Sequence, residues 1–248
     1  MTKEEKMILL EGGNVFKDSN GQPLTQRIDL ENVVPTVQWL EQLTGLNLVD
    51  NMLGSTGRKA TSGDLDLGVD ETKVSKQTLI DILLRKGVPA EDLRKTGDSV
   101  HYKAPILGDA GHGYVQVDFM FTDDPKWQQF SMTTGDSEYK GMHRAILLAS
   151  IAKAQGMKWS YKLGLVDRET NEPITKDPNE IAKRLIGGTA KDLSSVETIV
   201  DKIKSRPDYE QLVADAKDAF EHDQLPLPEN GILPGTGRWY RHWRNRSL

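Results

Sequence analysis

Two carboxylates one residue apart, set in an otherwise apolar segment, constrain this chain more than any other feature of its sequence. Asp64-Leu65-Asp66-Leu67 alternates polar and apolar side chains, and on a strand residues i and i+2 point the same way. Asp64 and Asp66 therefore stand side by side while Leu65 and Leu67 enter a core. Parallel carboxylates with nothing basic between them repel unless a cation lies there, and hard divalent ions such as Mg²⁺ prefer such oxygen ligands. A third acid, Asp118, sits between Val117 and Phe119 in a run that includes Val115, Met120 and Phe121. A lone carboxylate in such a strand is costly without a partner or a metal. Three acids on adjacent strands can hold two metal ions ~3.5–4 Å apart, close enough to serve an attacking and a leaving oxygen together.

The segment before the paired acids is Gly54-Ser55-Thr56-Gly57-Arg58-Lys59, followed by Ser62-Gly63 directly ahead of Asp64. A Gly-Ser turn after a strand offers backbone N–H groups and a hydroxyl to phosphate oxygens, and Arg58 and Lys59 would neutralise a triphosphate. Any one of these pieces alone is more often an ordinary turn or edge strand. Their ordered combination points to function.

The rest of the chain supplies the frame. Apolar spacing predicts a helix over 31–44, with Val33, Val37, Leu40 and Leu43 on one face and Gly45 as its stop. Strands are expected over 46–53, 65–69, 99–107 and 114–121, with a helix over 74–86. Beyond these come a helix over 140–155, a strand over 157–166 and a turn over 167–173. A helix then opens at Asp177-Pro178 and closes at Gly187-Gly188, and helices over 194–205 and 207–222 follow. The expected class is α+β: a mixed sheet with flanking helices over 1–125, then a mainly helical domain with a basic tail over 126–248.

Charge distribution sharpens the picture. The chain has 32 Lys+Arg, 37 Asp+Glu, a net charge of −5 and no cysteine. The missing cysteines exclude disulfides, a thiol nucleophile and thiolate metal sites. No apolar run approaches the ~20 residues needed to span a bilayer, and residues 1–10 carry no signal-peptide cleavage site, so no membrane partner and a soluble, cytoplasmic protein are expected. The negative excess lies in the first half. Two acid-free basic stretches lie in the second: Lys140, Arg144, Lys153, Lys158 and Lys162, and a tail in which Arg238, Arg241, Arg244 and Arg246 alternate with Trp239, Tyr240 and Trp243. The first follows the Thr133-Thr134-Gly135-Asp136 turn and would track a phosphate backbone. The second would stack on single-stranded bases, a docked tail without that role being an equal alternative.

Gly54-Ser55 through Asp64-Leu65-Asp66, with the lone Asp118 downstream, resembles the signature of the nucleotidyltransferase superfamily that includes DNA polymerase β, and most closely the family X DNA polymerases. The likeness continues through Thr133-Thr134-Gly135-Asp136, Met142-His143-Arg144, Gln155-Gly156-Met157 and Asn171-Glu172-Pro173-Ile174. It implies a polymerase β-like catalytic core followed by a thumb-like domain, without the family's N-terminal lyase domain. It implies two Mg²⁺ (or Mn²⁺) ions on Asp64, Asp66 and Asp118, with Asp118 nearest the attacking hydroxyl. It assigns the triphosphate to Gly54, Ser55, Arg58 or Lys59, Ser62 and Gly63, the sugar and base to Thr134 and Gly135, and nucleic acid to Lys140, Arg144, Arg238, Trp239, Arg241 and Trp243. Two departures stand out: Gln116 occupies the position where the family usually carries arginine, and the Gly-Ser-to-acid spacing is one residue shorter.

The implied activity is transfer of a nucleoside monophosphate from an NTP or dNTP to a nucleic-acid 3′-hydroxyl, releasing pyrophosphate. The alternatives are untemplated transfer to RNA, protein or a small molecule, and a catalytically silent nucleic-acid-binding or assembly protein on the same fold. His101, His112, His143, His222 and His242 lack metal spacing and read as ordinary polar positions. Leu233-Pro234-Gly235-Thr236-Gly237 reads as a plain turn, and Gly12-Gly13 carries no assignment.

Overall fold

A computed structural model describes residues 14–223, 225–229 and 231–233. The expectations on Gly12-Gly13, on the turn after Leu233 and on tail residues Arg238, Trp239, Arg241 and Trp243 lie outside them. The chain divides into two compact units, Met1–Gln129 and Phe130–Leu248. Helices and mixed sheets alternate along it, a mixed α/β architecture.

The first unit opens with β1 (Ile28–Asp29), which runs straight into α1 (Leu30–Thr44). Val33, Val37 and Leu40 form the buried stripe that the spacing predicts. Gly45 closes the helix at φ 76°, its N–H bonding the Glu41 carbonyl, a left-handed cap that glycine adopts without a Cβ penalty. The next segment departs from expectation. Residues 46–53 form no strand, because the Glu41 carboxylate takes the N–H groups of Leu48 and Val49 at 2.6 and 2.9 Å. The chain turns there through a short 3₁₀ helix, Val49–Asn51, and only an isolated bridge between Met52 and Leu67 resembles a ladder.

β2 (Thr61–Ser62) pairs antiparallel with β1. Then come β3 (Asp64–Asp70), α2 (Lys76–Arg85), β4 (Leu93–Thr96), β5 (Ser99–Pro105) and β6 (Tyr114–Thr122). β4 had no clear periodic signal: its four residues are Leu-Arg-Lys-Thr, and three of them are exposed. The sheet order is β3-β6-β5-β4, with β3 and β6 parallel and the other pairs antiparallel. Parallel neighbours require a crossover, supplied here by α2, β4 and β5. Leu65, Leu67, Val117, Phe119 and Val100 turn one face of the sheet toward Val37 and Leu40 of α1 and Leu79 and Leu83 of α2. Each fully buried side chain of this kind contributes about 1.5–3 kcal/mol. Strand alternation leaves Asp64, Asp66, Gln116, Asp118 and His101 on the other face.

The boundary between the units falls within α3 (Pro125–Met132). The second unit contains α4 (Gly141–Ala154), β7 (Met157–Ser160), β8 (Gly164–Asp167), β9 (Pro173–Thr175), α5 (Pro178–Ile186), α6 (Val196–Ile203) and α7 (Tyr209–His222). The strand expected over 157–166 is a hairpin instead. Ser160 Oγ accepts the N–H groups of Lys162 and Leu163, and Gly164 at φ 77° completes the turn. Asp177 caps α5 through the Glu180 N–H, with Pro178 at the first helical position as expected. α4 and α7 are tied by Ser150 Oγ, which donates to the Leu212 carbonyl at 3.0 Å, and Leu147, Ile151, Leu212 and Phe220 are buried.

Candidate metal centre

The three acids meet through strand register. Asp66 on β3 is the direct partner of Asp118 on β6, and Asp64 is the partner of Gln116. One carboxylate oxygen from each of Asp64, Asp66 and Asp118 lies within 4.8 Å of the others. Burial pushes the Asp66 carboxyl well above the ordinary carboxylate range, and the neighbouring charges of Asp64 and Asp118 push it further. Like charges gathered in a poorly solvated position behave this way. The residues fit a divalent cation: they supply hard oxygen donors and a surplus of negative charge that a cation would offset.

The Gly-Ser turn is fastened to the same place. The Leu53 N–H bonds the Asp66 carbonyl at 2.8 Å, and the Asp66 N–H bonds Thr56 Oγ1 at 2.9 Å. Gly54 has φ 58°, and a Cβ there would stand 2.9 Å from Asp66 Oδ2. Both the backbone conformation and the close approach therefore require glycine. Ser55, Arg58 and Lys59 are exposed on this turn, and Gly63 is exposed beside Asp64. Ser62, expected to bind the triphosphate, is instead 3% exposed, and its Oγ is buried without a hydrogen-bond partner.

Two features of this face have no signature in the sequence. Arg27 is held against β2 by Nε on Thr61 Oγ1 at 2.9 Å and Nη2 on the Thr61 carbonyl at 3.0 Å. A Cβ on Gly63 would stand 3.2 Å from its Nη1. His101, expected to be an ordinary polar residue, is the β5 partner of Asp118 and places Nδ1 at 2.7 Å from Asp118 Oδ1. Antiparallel pairing of β1 with β2 sets Arg27 beside Thr61, and antiparallel pairing of β5 with β6 sets His101 against Asp118, neither of which local spacing announces.

In the second unit, Thr134 is half-buried, and Gly135 and Lys140 are exposed. The Gly135 N–H bonds the Ser194 carbonyl at 2.8 Å. Arg144, expected to reach nucleic acid, does not face solvent: it is 1% exposed. Its Nη1 donates to the Thr133 carbonyl at 2.8 Å, and its Nη2 donates to those of Phe130 and Ser131 at 2.6 and 2.9 Å. The last carbonyls of a helix lack intrahelical donors, and the guanidinium supplies them at the end of α3. Burial pushes the Arg144 pKa down to about 10.

The chain matches no family model, and no curated protein matches it significantly. Among the described residues, no helix is long and apolar enough to cross a membrane.

Proposed function

We propose that this chain is a divalent-metal-dependent nucleotidyltransferase of the family X polymerase kind. It transfers a nucleoside monophosphate from an NTP or dNTP to a nucleic-acid 3′-hydroxyl. The observation that carries the reading is the register match of Asp66 with Asp118, with Asp64 on the same face and the Gly54 turn packed against Asp66.

When bound, two Mg²⁺ or Mn²⁺ ions would neutralise phosphate charge and favour the alkoxide form of the acceptor. Asp64 and Asp66 would hold both ions and Asp118 the one nearer the acceptor. The acceptor oxygen forms a bond to the α-phosphorus, the bond from that phosphorus to the β-phosphate bridging oxygen breaks, and pyrophosphate leaves. The hydroxyl proton departs on the side of Asp118. Ser55, exposed on the turn, and the turn backbone bind the triphosphate by hydrogen bonds. Arg58, Lys59 and Arg27 add positive charge, Arg27 already oriented by Thr61. Catalysis in such a site is positioning plus electrostatic stabilisation. Assignment of sugar and base contacts to Thr134 and Gly135, and of nucleic-acid contact to Lys140 and the Arg238, Trp239, Arg241 and Trp243 tail, rests on sequence likeness alone.

The test is incubation with Mg²⁺ or Mn²⁺, each labelled NTP and dNTP, and primer, primer–template, RNA or no acceptor, with Asp64→Ala alongside. Primer extension by wild type and not by Asp64→Ala supports the reading. Labelled protein or RNA redirects it to another acceptor. No turnover anywhere, with nucleic acid bound equally by both proteins, overturns it.

A further inference from the structure

Asp118 is almost fully buried, and so are the two side chains that hold its carboxylate: Gln116 and His101 are 2% and 4% exposed. Gln116 lies two residues earlier on β6 and faces the same way. Its Oε1 accepts the Val15 N–H at 2.8 Å, which dictates the amide orientation: a flipped amide would set N–H against N–H and oxygen against carboxylate. Nε2 therefore faces Asp118 and donates to Oδ1 at 3.0 Å and Oδ2 at 3.1 Å. His101 is held at both ends, with Nδ1 on Asp118 Oδ1 at 2.7 Å and Nε2 on Thr96 Oγ1 at 2.5 Å. An ionised carboxylate only accepts, so Nδ1 carries the hydrogen that faces Asp118, and the Thr96 hydroxyl anchors the ring at Nε2.

We propose that Gln116 and His101 are positioning residues that clamp Asp118 for cation binding, with the backbone of Val15 setting the orientation of the clamp. The inference rests on the metal-centre reading above and deepens it. Oδ1 receives two of the three contacts and Oδ2 one, so Oδ2 keeps more lone-pair capacity and is the oxygen presented to a cation. The Gln116 amide carries no charge, so it fixes the carboxylate without cancelling the charge that attracts the ion. Hydrogen-bonding partners behind metal ligands typically carry about 10–100-fold in metal affinity.

The experiment measures Mn²⁺ binding alone, by the loss of the free-ion EPR signal, on the full chain. His101→Leu and Gln116→Leu are each expected to weaken Mn²⁺ by about tenfold or more, with Asp118→Asn as the reference for a lost ligand. His101→Asn keeps an N–H donor the same number of bonds from the backbone as Nδ1, and most of the affinity should return. A purely structural role for His101 predicts no such difference between folded Leu and Asn variants. Wild-type affinity in a folded Leu variant at either position overturns the clamp, as does an Asn variant as weak as Leu. If His101→Leu does not fold, Gln116→Leu decides. Wild type that binds Mn²⁺ through this clamp but transfers no nucleotide to any acceptor supports the clamp and rejects the transferase reading.

Discussion

Asp66 and Asp118 are register partners on parallel strands that are far apart in sequence. Their carboxylates, with that of Asp64, offer oxygens within 4.8 Å of one another, and the mutual repulsion is part of the design of the site. Unrelieved, it costs stability; relieved by a cation, it becomes affinity.

Asp66 therefore makes stability pH- and cation-dependent. Its folded pKa lies above the unfolded value near 3.8, so between the two values the folded chain binds more protons. The contribution of Asp66 to stability falls as pH rises through the folded pKa. Asp66→Asn is expected to be more stable than wild type at pH 7, with the advantage shrinking toward mildly acidic pH. Thermal melts across pH 4–8 measure this difference. Mg²⁺ should raise the melting temperature of wild type and leave Asp66→Asn nearly unchanged.

Arg144 should behave as a structural hub. Arg144→Met strands the carbonyls of Phe130, Ser131 and Thr133, and a loss of about 3 kcal/mol or more is expected in chemical denaturation. Arg144→Lys should recover little of it, because one ammonium cannot reproduce the fork that reaches three carbonyls. If the chain binds nucleic acid, Arg144→Lys should leave the salt dependence unchanged. Lys140→Ala, at an exposed position, should reduce the slope by about one.

His143 places an acid-sensitive point at the start of α4. Its Nδ1 accepts the Lys140 N–H at 3.0 Å, and its Nε2 faces the Pro226 carbonyl at 3.1 Å. The ring is thus neutral with its hydrogen on Nε2. Burial holds its pKa below the ordinary 6.5. Between the folded and unfolded values the unfolded chain binds more protons, so this stability is present above pH 6.5 and is lost as pH falls. Protonation of Nδ1 breaks the Lys140 contact. His143→Gln should reduce the stability difference between pH 7 and pH 5, read from melts and from hydrogen exchange of the first turn of α4.

Helix α1 and its Gly45 stop, the Asp177-Pro178 start of α5 and the strand over 114–121 were legible because each is decided within a few residues. The same holds for Asp64 and Asp66 sharing a face. Residues 46–53 misled, because apolar composition suggests a strand while the Glu41 carboxylate takes the N–H groups a ladder would need. Arg144 misled for a related reason: a basic residue on a helix reads as solvated, and only the end of α3 supplies the carbonyls that bury it.

By itself the sequence determined the local alphabet of this protein: an acid pair on one strand face, a glycine turn ahead of it, a lone acid in an apolar strand and the caps of its helices. The tertiary structure alone decided that β3 lies parallel to β6 rather than beside its sequence neighbours, which sets Asp118 against Asp66. It also decided that His101, Gln116 and Val15 close around Asp118. Strand order and register follow from burying one apolar face against α1 and α2, a property of the whole first unit that no short stretch of chain contains.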